Sequence, residues 1–373
     1  MIVAAILFAW LQYVGGGPHA RAIVTGACPI ATFDGRPARM TQRAAEGAGF
    51  GDTVCDVRVP AQSKSVKLGV RPVPAPAHAL RTIVVFGDTG CRILGPAVQA
   101  CNDPVQWPFP VVAQSIAKVH PDLIVHVGDY FYRETPCPPL VGGCAGSPSG
   151  DKAASWYADW FTPGTPLFSV APLVLARGNH EDCTRGSLGW TRYLEPSTAG
   201  RCQPMDAPFV AAFKGLRIVV FDSAIANDDR TIAANAAPLK QNFDAARALV
   251  SGPTWFVTHR PPYLNADENA AMGNDLDAFS AVIVGHIHLF AVMNNAPHAP
   301  MVINGIGGDN LDAASGAKLR SSLGPDGQSV SVNFGFAVYT RTAAGWDISL
   351  RNPNGAERAR CVLTEGKPGT VRC

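Results

Sequence analysis

The chain has 373 residues, 47% hydrophobic and 16% charged, with a mean hydropathy of +0.08, which excludes a disordered or highly charged tail protein. At roughly 150 residues per domain the length allows one large domain or two. A net charge of +2, with no basic run, gives nucleic-acid binding no electrostatic support, so no nucleic-acid partner is expected.

Residues 2–14 read IVAAILFAWLQYV, an apolar run too short for a membrane span of ~20 residues. Gly15, Gly16, Gly17 and Pro18 break it, and Ala20-Arg21-Ala22 offers a small-x-small cleavage site. Residues 1–22 are therefore expected to be a signal peptide, and the mature protein to be secreted or periplasmic with no stable membrane span. An exported chain meets an oxidising compartment, so its ten cysteines read as five disulfides. The sequence does not fix their pairing, but spacing suggests neighbours: Cys28–Cys55, Cys91–Cys101, Cys137–Cys144, Cys183–Cys202 and Cys361–Cys373. Metal binding by cysteine is disfavoured because the chain contains no CxxC.

Residues 23–78 are Pro/Gly-rich and read as a disulfide-tied extension ending in an extended linker at 70–76. Over 79–373 short apolar runs alternate with helical segments. Strands are predicted at 83–86, 123–127, 172–176, 217–221, 255–257 and 281–284. Helices are predicted at 111–119, 152–161 and 239–250, and a hairpin at 334–350. This alternation argues for an α/β fold with a largely parallel sheet.

Polar residues follow these strands. Asp88 follows IVVFG, Asp129 follows LIVHVG, and Asn179 and His180 follow LVLARG. His259 follows WFVT, and His286 and His288 follow AVIVG. Ligands of open α/β sheets bind beyond the carboxyl ends of the strands, so these tips would converge on one place. Asp, Asn and His supply oxygen and nitrogen donors suited to metal ions. Two ions about 3.5–4 Å apart could clamp a phosphoryl group and activate water, with a central carboxylate bridging them.

The ordered motifs GDTG (87–90), GDYFY (128–132), GNHE (178–181), FVTH (256–259) and GHIH (285–288) resemble those of the calcineurin-like metallophosphoesterases, and among them the purple acid phosphatases. The resemblance covers about residues 80–310. It implies an αββα sandwich, two mixed sheets flanked by helices, and a binuclear centre. One metal would take Asp88, Tyr132 and His288, the other Asn179, His259 and His286, with Asp129 bridging. Most metallophosphoesterases carry a histidine where this chain has Gly90. In the purple acid phosphatase pattern the tyrosine of GDxxY replaces that ligand, and both changes occur here.

Two aspartates, a tyrosinate and a hydroxide would leave two divalent ions neutralised, whereas a trivalent–divalent pair keeps one positive charge to attract an anionic ester. The expected cofactors are therefore Fe(III) at the tyrosine site and Fe, Zn or Mn at the other. His180 is the expected catalytic histidine, with Glu181 beside it to orient the imidazole. Arg92 and Arg260 neighbour motif residues and could meet phosphate or simply form salt bridges. FVTH has phenylalanine where the family has valine, and no histidine lies between His259 and His286, where several members have one. The segment before residue 80 is too short for the β-sandwich of plant-type members.

Outside the motifs, His126 and Tyr130 read as packing, and Trp156, Trp160 and Phe161 as core. His19 would leave with the signal peptide. Gly305, Gly307 and Gly308 would let their loop approach the site, with Asp309 and Asp312 as turn residues. The expected activity is hydrolysis of small phosphate esters, monoesters favoured. A phosphodiesterase or nucleotidase of the same fold is the alternative, and a non-catalytic exported scaffold the remote one. Oligomeric state is not legible.

Overall fold

The computed structural model describes residues 5–197, 200–294, 298–322, 330–366 and 369–373. Among these, two mixed sheets dominate. The centre of the eleven-stranded sheet is parallel: Thr82–Phe86, Leu123–His126, Leu173–Leu175 and Ala5–Val14 lie side by side. Antiparallel strands extend both edges, including the hairpin Phe336–Arg341 and Gly345–Arg351. The seven-stranded sheet has a parallel centre of Leu216–Val220, Thr254–Val257, Ala281–Val284 and Met301–Asn304.

Strand alternation explains the layering. In Thr82–Phe86, Ile83 and Val85 pack between the sheets with Ile218, Trp255, Ile283 and Val302. Val84 and Phe86 face outward onto Phe109, Val112 and Ile116 of the helix Phe109–Val119. The second sheet turns Val219, Phe256, Val282 and Ile303 outward onto Leu239 and Phe243 of the helix Ala233–Ala248. Strands buried on both faces read as unbroken apolar runs, which is why they were legible. The result is the expected αββα sandwich. No helix among the described residues is long and apolar enough to cross a membrane.

The expected helix at 152–161 continues to Phe168, with π geometry over Tyr157–Phe161. All five disulfides pair as spacing suggested.

The N-terminal expectations need correction. The segment expected to be a signal peptide is built into the large sheet. Ala5–Val14 pairs antiparallel with Gly17–Thr25, and Gln12 lies opposite Leu173. Ala9, Leu11 and Tyr13 enter the core between the sheets, while Trp10 enters the helix-facing core. A short apolar run fits a strand buried on both faces as well as it fits a leader, and periodicity cannot separate the two. The Gly15–Gly17 break is a hairpin turn, with Gly16 at φ 97°. His19 lies in the sheet, its Nδ1 2.7 Å from Asp56 Oδ2.

Residues 23–78 likewise form no simple extension. Thr53–Arg58 and Thr41–Ala44 extend the large sheet. Ile30–Phe33, Arg36–Arg39, Val66–Leu68 and Arg71–Val73 make a separate four-stranded sheet, the last from inside the expected linker.

Candidate metal centre

Five parallel strands deliver the polar cluster. Asp88 follows Thr82–Phe86; Asp129 and Tyr132 follow Leu123–His126; Asn179 and His180 follow Leu173–Leu175. From the second sheet, His259 follows Thr254–Val257, and His286 and His288 follow Ala281–Val284. Donor atoms of Asp88, Asp129 and His288 lie within 4.8 Å of one another, as do those of Asp129, His259 and His286. Asp129 belongs to both groups. Its Oδ2 accepts from the Tyr132 hydroxyl at 2.6 Å and lies 3.2 Å from His259 Nε2. The Tyr132 oxygen is 3.1 Å from His288 Nε2, and Asn179 Oδ1 is 3.0 Å from His259 Nε2. All seven side chains expected as ligands meet here.

Bringing them together strains the backbone. Asp88, Asp129 and His286 have φ of 59°, 60° and 69°, a left-handed conformation that costs a non-glycine residue on the order of 1–3 kcal/mol. The motif glycines make room. A Cβ at Gly178 would lie 2.0 Å from Asp129 Oδ1, and one at Gly128 2.5 Å from His259 Nδ1. Gly90 has a steric reason as well: a Cβ there would lie 2.7 Å from the Tyr132 ring and 2.8 Å from Tyr130 O. A histidine at 90 and a tyrosine at 132 would compete for one space.

Two buried carboxylates hold the 129–133 loop. Glu181 accepts from the backbone N–H groups of Asp129 (3.1 Å), Tyr130 (2.8 Å), Phe131 (3.0 Å) and Gly178 (3.1 Å). This corrects the expectation that Glu181 orients the His180 imidazole: its oxygens are committed to the loop. Asp159, presented by the π segment, accepts from the N–H groups of Tyr132 (2.8 Å), Arg133 (3.1 Å) and Cys91 (3.0 Å). Sequence reading missed Asp159, because an acidic residue on a helix ordinarily faces water. π turns recur at functional sites for this kind of re-aiming.

His180 has two partners that also pair with each other: Glu134, whose Oε1 is 2.8 Å from Nδ1, and Arg185, whose Nη2 lies 2.7 Å from Nδ1 and 3.0 Å from Nε2. Arg92 and Arg260 both form salt bridges, with Asp309 and Asp228. Asp309 is therefore not a turn residue: it is wholly buried, holds Arg92, and lies 3.5 Å from His288 Nδ1. Asp312 does act locally, accepting from Ser315 N beside the helix Ala313–Ser322. His126 and Tyr130 are packing residues as expected. They stack 4.0 Å apart, and the tyrosine hydroxyl donates to Ala176 O. Gly305 and Gly307 pass so close that a Cβ would strike Ile287 O and Gly87 O.

Residues 81–290, more than half of the chain, match the family model of the calcineurin-like phosphoesterases. The chain belongs to this family. It is thus a phosphoric-ester hydrolase with a fold built for a binuclear metal centre. Two solved structures share the fold. One is the purple acid phosphatase PPD1 from yellow lupin (Lupinus luteus) seeds, at a TM-score of 0.58 and 14% identity over 95% of this chain and 74% of that one. The other is PhoD, at 0.63 and 12% identity over 98% and 91%. No curated protein sequence matches the chain significantly.

The electrostatics of this calcineurin-like phosphoesterase fit a cationic occupant. Tyr132 is pushed well above its ordinary pKa by burial and by Asp129 and Asp88. Burial would lower both His259 and His288, yet the surrounding carboxylates hold each at about 9. Burial lowers His286 and His180, so the excess of anionic oxygen is concentrated around Asp88 and Asp129, a setting that suits metal ions. The centre opens into a cleft of about 360 Å³ lined by Arg92, Asn179, His180, His286, His288 and Asn310–Asp312.

Proposed function

We propose that the protein hydrolyses phosphate monoesters as an exported acid phosphatase of the purple type. Asp88, Tyr132 and His288 would hold Fe(III), and Asn179, His259 and His286 would hold Fe, Zn or Mn, with Asp129 between them. The observation that carries this reading is the Tyr132 hydroxyl, seated 2.6 Å from Asp129 and 3.1 Å from His288 in the space that Gly90 leaves open. The fold shared with a purple acid phosphatase supports it. Five disulfides support an oxidising compartment. Residues 5–25, being part of the sheet, no longer do.

When bound, such an ion pair holds phosphoryl oxygens and makes water nucleophilic near neutral pH. The protein's own task is to orient and protonate. Nδ1 of His180 faces Glu134 and can donate to it, while Nε2 lies beside Arg185 and 3.9 Å from Asp129 Oδ2. Protonated on both nitrogens, it meets the transferring group and gives its Nε2 proton to the leaving oxygen. Glu181 and Asp159 are positioning residues that keep the 129–133 loop in register.

Metal analysis with a visible spectrum tests the reading. One iron per chain and a broad tyrosinate band, abolished in Tyr132→Phe, are expected. Two non-iron divalent ions and no band would keep the family and break the purple assignment. Turnover of monoesters against diesters and nucleotides then separates a phosphatase from a phosphodiesterase or nucleotidase.

A further inference from the structure

The three histidines of the cluster are held from behind in two different ways. His259 Nδ1 faces the neutral Val127 carbonyl at 2.8 Å; His288 Nδ1 faces Asn310 O at 2.6 Å, with the Asp309 carboxylate farther off at 3.5 Å. His286 is turned the other way. Its Nδ1 points into the cluster, 3.3 Å from His259 Nε2, and its Nε2 lies 3.1 Å from the Asp228 carboxylate. Nε2 also lies 3.2 Å from Arg260 Nη1. With Nδ1 turned to the cluster as a metal donor, Nε2 carries the proton, and of these two neighbours only Asp228 can accept it.

Asp228 is itself held. Its Oδ1 accepts from Asn265 Nδ2 at 2.8 Å, and its Oδ2 pairs with Arg260. Its backbone carbonyl accepts from Ala266 N at 3.1 Å, and neighbouring Asn227 N donates to Asp267 at 2.9 Å. A side chain about 41% exposed on a connecting loop is thereby fixed in place.

We propose that Asp228 is a positioning residue that fixes the His286 ring and sets how tightly the Asn179/His259/His286 half holds its metal. The inference rests on the two-ion reading above. A carboxylate behind an imidazole raises its donor strength beyond what a carbonyl achieves, and loss of such a partner typically costs 10–100-fold in metal affinity. Arg260, paired with the same carboxylate, balances the added negative charge.

The test begins with wild-type protein, where two ions per chain are expected. Asp228→Asn and Asp228→Ala are then loaded and dialysed against graded chelator, and retained metals are counted by mass spectrometry. The expected result is loss of the second-half ion at about 10–100-fold lower chelator, more in Ala than in Asn. Iron and the tyrosinate band should remain, and excess divalent metal should restore kcat. Unchanged retention in both variants would overturn the proposal alone. So would loss of both ions together with a lowered melting temperature of the metal-free protein, because that marks a purely structural role. A wild type holding fewer than two ions would overturn the two-ion reading and this inference with it.

Discussion

The metal end of the molecule and the N-terminal strand pair are built on opposite principles. At the metal end, polar side chains sit at strand tips on left-handed backbone, held by buried carboxylates and crowded glycines. In the strand pair the structure is relaxed and stability comes from burial. Trp10 packs 5.3 Å from Phe161 and donates to Gln12 Oε1, while buried Arg21 binds Asp56 and the carbonyls of Tyr193 and Glu195. One region spends stability to create chemistry, and the other supplies it. Function and folding should therefore be separable by mutation.

The sharpest way to break this contrast is truncation. Deleting residues 1–22 removes one strand and most of a second from the large sheet, so it should abolish folding outright; circular dichroism and a melting curve check this. N-terminal sequencing of the native protein should correspondingly find residues 5–25 retained. At the other end, His180→Ala should cut kcat by roughly 10²–10⁴-fold while metal content and melting temperature hold, as steady-state kinetics and metal analysis would show. Loss of metal along with activity would place His180 among the ligands instead.

Trp10→Ala should cost about 3–5 kcal/mol in denaturant unfolding, yet leave kcat/KM unchanged in the folded fraction. The smallest expected effect concerns pH. Burial opposes the charge on Asp56, but His19 and Arg21 outweigh it and hold the carboxyl at about 2. A carboxyl depressed in the folded state contributes stability that is complete above its unfolded pKa, near 4, and lost as pH falls toward 2. The contribution is on the order of 2 kcal/mol. Asp56→Asn should remove that part of the acid sensitivity without moving the pH profile of turnover.

Legibility divided along the same line. Strand-tip motifs were readable because each pairs an apolar run with a chemically distinctive residue at its end. Glu134, Asp159, Asp228 and Asp309 were not. Glu134 and Asp228 sit in polar loop stretches, Asp309 in a glycine-rich loop, and Asp159 is a lone acid in an aromatic helix; none carries a sequence mark of its contact. Their roles arise from contacts far along the chain: Asp159 reaches Tyr132 across 27 residues, and Asp309 reaches Arg92 across 217. Glu181 was misread for the opposite reason, since adjacency to His180 suggested a partnership that the geometry assigns to Glu134 and Arg185.

The sequence by itself determined the buried strands and the set of donors at their tips, because burial period and residue chemistry are local properties; it suggested the disulfide partners only by spacing. The tertiary structure decided where residues 5–25 pack and which partners the histidines meet. An apolar decapeptide serves equally as leader or strand until Leu173 lies beside Gln12 to receive it, and a loop carboxylate becomes a positioning group only when the fold turns a buried imidazole toward it.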